Sequence, residues 1–159
     1  MFDPTTLVGF HTWLSLIAIV TGIPVVAALV RGQDAPAWVV PFLATAVATD
    51  VTGYFFPVTA VLPSHLVGAV SLVALAGAVV GRYLFRLEGF WRWVYAAGSV
   101  GGLYFLIFVG VAQAFAKVPF LNALGPTPAD PAFGIAQGIV LVIFAVLAWK
   151  AVKRFRPAV

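Results

Sequence analysis

Five long apolar runs, separated by short polar segments, constrain this chain more than any other feature. A helix needs about 20 mostly apolar residues to cross the hydrocarbon core of a membrane. Hydrophobic residues make up 63% of the 159 positions and charged residues 9%, and a soluble fold of this size cannot hide so much apolar surface. The sequence therefore predicts an all-α integral membrane protein, a single bundle of five transmembrane helices at about 7–30, 38–56, 64–85, 93–116 and 131–152.

The cations predict how this bundle is oriented. Lys and Arg close to short loops are retained on the cytoplasmic side. With five spans, an N-terminus outside and a C-terminus in the cytoplasm, only Lys117 lies outside and all other cations lie inside: Arg31, Arg82, Arg86, Arg92, Lys150, Lys153, Arg154 and Arg156. A four-span arrangement with the second run at the interface would divide these cations between the two sides. Because the cations flank apolar runs, the net charge of +4 does not indicate nucleic-acid binding.

The residue types that are missing from the sequence narrow the chemistry. There is no cysteine, which excludes disulfides, thiolate metal sites, iron-sulfur clusters and covalent c-type haem. The phosphate-binding loop, the dinucleotide glycine fingerprint, the H-E-x-x-H motif and the nucleophile elbow are also missing from the sequence. Any cofactor must be held by His, carboxylate, amide or packing, and whether the protein is an enzyme stays open.

Small residues four positions apart predict where the helices approach one another. Inside lipid, close backbone approach and interhelical hydrogen bonds hold helices together, because apolar surface gives no driving force there. Five such pairs occur, one in each predicted span: Ala18 with Gly22, Ala44 with Ala48, Gly77 with Gly81, Gly98 with Gly102, and Gly134 with Gly138. They favour a compact bundle, and they fit contacts within one chain and contacts between protomers equally.

The polar residues of the spans concentrate in the outer half of the predicted bundle. Ionisable side chains in hydrocarbon are costly, and those that are retained usually face the bundle interior and mark function. Every span contributes one group to this layer: His11, Asp50, His65, Gln113 and Gln137. We therefore predict an outward-facing polar site with these walls and, at its mouth, Tyr54, Lys117 and Asp130. The inner half has little to match it beyond its rim of cations.

Most members of this layer also have a structural explanation. His11 is shallow enough to bind interfacial water, and His65 belongs to a first helical turn beside a cap. Gln113 and Gln137 suit interhelical hydrogen bonds. Asp50 is the hardest to explain structurally, because a carboxylate within a span must be protonated, pair with a cation or bind a metal.

Three kinds of ligand fit this set of side chains. Two imidazoles, His11 and His65, are the minimum for a bis-histidine b-type haem. A quinone needs donors for two carbonyls, a carboxylate that takes up a proton and an aromatic wall, for which the sequence offers Phe10, Tyr54, Phe55 and Phe56. His11, His65 and Asp50 also suit zinc, copper or iron. A quinone or haem b is the preferred expectation.

Two other classes of function remain. Intramembrane Asp and His residues line proton and ion paths, so an oligomeric proton or small-solute translocator is one alternative. A non-catalytic subunit or assembly factor of a larger membrane complex is the other. The lipid bilayer is the partner common to all three classes, and a homo-oligomer or a larger complex is compatible with each.

Four stretches of the chain carry a resemblance. They are ATDVTGYFFP at 48–57, LPSHLVG at 62–68, GRYLFRLEGFWRWVY at 81–95 and VAQAFAKVPFLNALGPTPADPAFGIAQG at 111–138. The chain resembles, over nearly its whole length, a family of small bacterial polytopic membrane proteins without an established activity. The resemblance implies a multi-pass protein of the bacterial inner membrane, and it transfers no catalytic residue.

Overall fold

The fold is a bundle of antiparallel helices. A computed structural model describes residues 3–57, 63–125, 127 and 129–156, and this part of the chain contains helices and no strands. The helices are α1 (Leu7–Val30), α2 (Pro36–Gly53), α3 (Pro63–Val79), α4 (Trp91–Lys117), α5 (Pro119–Leu124) and α6 (Pro131–Arg154). One π-helical turn, Val80–Leu84, extends α3. The predicted all-helical bundle is confirmed.

Local sequence signals explain where the helices begin. Thr6 caps α1, its hydroxyl oxygen accepting a hydrogen bond from the Gly9 amide at 3.1 Å. Pro36, Pro119 and Pro131 each open a helix, because a fixed φ and a missing N–H suit the first helical turn. Consequently α2 begins two residues before its predicted start, and the predicted link at 117–130 contains the short helix α5.

Each long helix packs antiparallel against the next. The start of α2 meets the end of α1, where Gly22 lies against Phe42. The same pairing of opposite ends joins α4 to α6, through Phe115 with Phe133 at one end and Tyr95 with Phe155 at the other. The bundle thus has an N-terminal end, where α1, α3 and α6 begin, and a basic end, where α1 and α6 finish among most of the cations.

Glycines bring α3 and α4 together toward the basic end. A Cβ added at Gly98 would collide with the backbone oxygen of Ala74, and one at Gly81 would lie 2.9 Å from the oxygen of Trp91. Around this contact Phe42, Leu75 and Tyr95 are completely buried. The predicted pair Gly134 and Gly138 behaves differently, since nothing lies within 4 Å of an added Cβ at either, so it makes no contact within the described part of the chain.

Four helices of the described chain are long and apolar enough to cross a membrane: Leu7–Val30, Ser64–Leu84, Trp91–Lys117 and Pro131–Arg154. The protein is thus a multi-pass membrane protein. Helix α2 falls outside this set. It has 18 residues with Pro41 inside, and it carries Asp50 and several threonines, which lower its apolar character.

Candidate functional site

A cavity of about 550 Å³ opens among α1, α2, α3 and α4 at the N-terminal end of the bundle. Small-molecule sites in proteins span about 300–1,000 Å³ and are mainly apolar with a few polar groups. Most of the wall here is aliphatic or aromatic, and its polar members are His11, Thr12, Ser15, Thr49, Asp50, Tyr54, Ser64, His65, Gln113 and Lys117. Five of the six predicted binding residues therefore line one cavity.

The cavity is deep and its polarity changes with depth. Along α1 its wall runs from Val8 to Ile19, eleven residues or roughly 16 Å of helix. Lys117, Gln113 and His65 lie near helix ends at the mouth, whereas the deepest wall is apolar. Asp50 and His11 lie three and four residues from their own helix ends, at about the same level as Gln113, so the polar end of a ligand meets all of these groups above the apolar wall.

The His11 ring is held by the last turn of α2. Its Nδ1 lies 3.0 Å from the Thr52 hydroxyl oxygen, and that oxygen is also 2.7 Å from the Ala48 carbonyl. A hydroxyl has a single proton, which Thr52 donates to this carbonyl. Thr52 therefore accepts from the N–H at Nδ1, and in the neutral ring Nε2 keeps its lone pair as an acceptor. The edge of Phe56 closes the ring in, with centroids 5.1 Å apart.

Asp50 presents an oxygen without a partner. Its Oδ2 is buried and accepts no hydrogen bond from any described residue. The hydroxyl of Ser71 on α3 lies close to this carboxyl group, but it forms no hydrogen bond with any described residue. Because α2 ends at Gly53, Asp50 is only three residues, or roughly 4.5 Å, from the helix end, nearer the mouth than the sequence suggests. A buried oxygen without a partner costs about 1–3 kcal/mol, which a ligand that donates a hydrogen bond would recover.

Tyr54 and His65 form one side of the mouth. The Tyr54 hydroxyl donates to the His65 backbone oxygen at 2.7 Å, and the two rings pack with centroids 5.5 Å apart. This pairing ties the C-terminal end of α2 to the first turn of α3, so both side chains are held in place at the cavity rim.

Other residues predicted for the site lie elsewhere. Gln137 is buried between α4 and α6, where its amide nitrogen donates to the Phe108 oxygen at 2.9 Å, and it is not part of the cavity wall. Of the four predicted wall aromatics, Tyr54 and Phe56 line the cavity, whereas Phe10 and Phe55 do not. The Gln137 amide thus makes an interhelical hydrogen bond, which is the structural explanation that the sequence offered for it.

Asp130 organises the turn before α6 and does not line the cavity. Its Oδ2 accepts from the Thr127 hydroxyl at 2.7 Å and from the Thr127 amide at 2.9 Å. These hydrogen bonds favour the charged form, so they lower the pKa of Asp130 below its ordinary value of 3.8.

The three residues suggested as metal ligands do not form one coordination site. Within the described residues, no three His, Cys, Asp or Glu side chains are grouped closely enough to hold a metal ion. His11, Asp50 and His65 are all described and share the cavity wall, but they line different parts of it.

The structure also reveals buried polar groups that the sequence pattern did not single out. Tyr95 and Ser99 on α4 are completely buried, and neither hydroxyl has a partner within the described residues. Both lie in the half of the bundle nearer the basic end, where the sequence led us to expect few polar groups apart from the cations at the rim. Their spacing of four residues, which places them on one face of α4, is the signal that could have revealed them.

Comparison of the chain with protein-family models, curated proteins and solved structures gives no significant match. The cavity and its side chains are therefore the basis for assigning a function.

Proposed function

We propose that the chain spans the bacterial inner membrane five times, with its N-terminus outside and its C-terminus in the cytoplasm. The connectivity supports α2 as the fifth span. α1 and α3 run in the same direction, so the chain between them must return across the bundle, and α2 provides that return. Its 18 residues extend about 27 Å, close to the roughly 30 Å hydrocarbon core. Eight cations at or near the basic end support the orientation.

We further propose that the cavity binds a quinone, a ring with two carbonyls that takes up protons when it is reduced. The observation that carries this proposal is the unpartnered Asp50 oxygen, which lies with His11 inside a largely apolar cavity. A quinol hydroxyl would donate to Asp50 or to Nε2 of His11, and Lys117 and Gln113 offer donors to a quinone carbonyl. The aromatic wall comes from Tyr54, Phe56 and Phe105.

The aromatic contacts favour a quinone over a haem. A bis-histidine haem needs both imidazoles free to face one iron from opposite sides. Here the His11 ring packs against Phe56 and the His65 ring against Tyr54. Each ring is thus packed at 73° or 49° to an aromatic side chain at or just after the C-terminal end of α2, and a quinone can bind at Nε2 of His11 without either ring leaving that contact.

Binding of a short-chain quinone to the purified protein tests this proposal. Asp50→Asn keeps the shape of the side chain and removes its charge, so affinity for the quinol should fall about ten- to hundredfold, the value of a hydrogen bond to a charged group. Thr21→Val is the matched control, because Thr21 is buried, does not line the cavity, and its hydroxyl donates to the Ile17 oxygen. Equal affinities for wild type and Asp50→Asn would contradict the proposed role.

The protein purified from its own membrane gives a second test. Extraction should recover quinone, and the ultraviolet-visible spectrum should contain no Soret band before or after dithionite. A Soret band that disappears in His11→Ala would replace the quinone with a haem, and a featureless spectrum without extractable quinone would remove the redox proposal.

A further inference from the structure

A second set of polar side chains lies between the cavity and the basic end. Arg82 belongs to the π-helical turn, and π-turns are frequent at functional sites. Its guanidinium group donates to both carboxylate oxygens of Asp34, at 3.0 and 2.8 Å. The same group lies over the ring of Tyr95, 5.2 Å from the centroid. An ion pair at the basic end is thus linked directly to a buried tyrosine.

Two hydroxyls continue this set toward the middle of the bundle. Tyr95 and Ser99 are one helical turn apart on α4, and both are fully buried with oxygens that have no partner among the described residues. Each such group costs about 1–3 kcal/mol when it is left without a hydrogen bond. Two of them on one helix face, next to the Arg82 ion pair, are unfavourable in a purely structural core, where alanine and phenylalanine would pack at no such cost.

The set of polar side chains also extends from the middle of the bundle to the cavity, and we call the whole series the row. Asp50 interacts with Ser71 on α3, and Ser71 is 1% exposed with an unpartnered hydroxyl. From the N-terminal end to the basic end, successive levels along the antiparallel helices carry His11, Asp50, Ser71, Ser99 and Tyr95, and then the Arg82–Asp34 ion pair. Tyr83, whose ring lies 6.0 Å from the Arg82 guanidinium carbon, is a further titratable group next to Arg82 at the basic end.

An apolar layer divides the row in the middle. Leu75, one turn from Ser71, lies against Gly102, and Leu103, one turn from Ser99, lies against the Gly22 position. Phe42 is completely buried beside them. This layer closes the bundle to a continuous water-filled pore, so solutes and hydrated ions cannot pass in this conformation.

We infer that this row carries protons between the basic end and the Asp50 carboxyl group of the cavity. Each hydroxyl accepts a proton from one neighbour as it donates its own to the next, Arg82 stays protonated throughout, and water molecules that enter the apolar layer transiently, without forming a continuous pore, complete the link between Ser71 and Ser99. One proton therefore leaves the row for each proton that enters, and no side chain is changed. The inference rests on the cavity geometry and the buried hydroxyls, and it holds whether or not the ligand is a quinone.

Proton flux into liposomes tests the inference. The full-length protein is reconstituted with a pH-sensitive dye trapped inside, and a potassium gradient with valinomycin sets the membrane potential. We expect flux above that of protein-free liposomes. Ser99→Ala, Tyr95→Phe and Asp50→Asn should each lower the initial rate about tenfold or more, since a positioned proton-transfer group contributes at least that much. Thr21→Val, which removes a buried hydroxyl outside the row, should leave the rate unchanged.

The outcomes separate this inference from the ligand proposal. Quinone affinity should survive Ser99→Ala and Tyr95→Phe, because neither residue lines the cavity. Flux without quinone binding would sustain the proton path and remove the quinone. Wild-type flux equal to that of protein-free liposomes, or equal flux in wild type and Ser99→Ala, would overturn the path. If Tyr95→Phe does not fold, Ser71→Ala and Ser99→Ala, which each remove one oxygen atom, test the same path by the same loss of flux.

Discussion

The two halves of the bundle are built from similar residues and pack differently. Toward the basic end, glycines lie in contact: Gly98 against Ala74 and Gly81 against Trp91. At the N-terminal end the glycines that line the cavity are more open, and a Cβ at Gly110 would meet no described atom within 4 Å. One half is therefore close-packed and the other surrounds a cavity of about 550 Å³.

This difference shows what a small residue does inside a membrane bundle. A glycine stabilises the bundle only where the facing helix packs into the space that a larger side chain would occupy. Elsewhere the same residue leaves space. The half in which glycines pack against a facing helix forms the core of the fold. The half in which they do not has room for a ligand.

The largest expected effect comes from substituting a glycine that packs against a facing helix. Gly98→Val would drive a branched side chain into the backbone of α3, so the free energy of unfolding should fall by more than the roughly 1–3 kcal/mol typical of overpacking. Unfolding in mixed detergent, followed by far-ultraviolet circular dichroism, measures this loss. Gly138→Val is the control, since no described atom lies near that position on α6; equal losses in the two variants would contradict the close packing of α3 against α4.

Substituting a glycine that lines the cavity should change ligand affinity without lowering the free energy of unfolding. Gly110→Leu places four carbons beside the cavity, so quinone affinity should fall about tenfold or more, equivalent to about 1.4 kcal/mol, while the free energy of unfolding stays unchanged or rises. Ligand titration and detergent unfolding on the same preparation measure both quantities. A variant that binds normally would mean that the ligand lies outside this cavity.

The two glutamines divide in the same way. Gln137→Leu removes the hydrogen bond to the Phe108 oxygen together with the buried, unpartnered Oε1, so the net loss of stability should lie below about 1.7 kcal/mol, without a change in quinone affinity. Gln113→Leu, at the exposed mouth, should lower affinity and leave stability nearly unchanged. If Gln137→Leu lowers affinity and Gln113→Leu lowers stability, then Gln137 contacts the ligand and Gln113 holds the helices together, contrary to this account.

The smallest expected effect is local and depends on pH. Asp130 has a lowered pKa in the folded protein because Thr127 donates two hydrogen bonds to it. Its contribution to loop order is therefore complete above its ordinary pKa of 3.8 and is lost as the pH falls through the lowered value. The amide proton shift of Thr127 should titrate with a midpoint below 3.8 and become insensitive to pH in Asp130→Asn. A midpoint at or above that value in the native chain would contradict the hydrogen-bonded turn.

The sequence predicts the helices well because hydrophobic length and proline position are local properties. The predicted bounds of α1 coincide with Leu7–Val30, and those of α6 differ only at its last turn. Depth along a helix also predicted which side chains share one end of the bundle, and His11, Asp50, His65 and Gln113 line one cavity there.

Rotation about a helix axis is what the sequence does not provide. Gln137 and Asp50 each lie six residues from the outer end of their predicted spans, but α6 turns Gln137 toward Phe108 and away from the cavity. The spacing of Tyr95 and Ser99 places them on one face of α4, but the sequence does not show that packing buries both hydroxyls without partners.

Single-cysteine protection tests the central claim most directly, because the native chain has no cysteine. Gln113→Cys should react with a polar maleimide added to intact spheroplasts, and a fully substituted short-chain benzoquinone, which lacks a ring position for thiol addition, should slow that reaction. When the reduced form of the same compound, the quinol, is the protecting ligand, Asp50→Asn in the same background should remove the protection. Equal labelling rates with and without the quinone, in a protein that labels from outside, would contradict a quinone site in the outward-facing cavity.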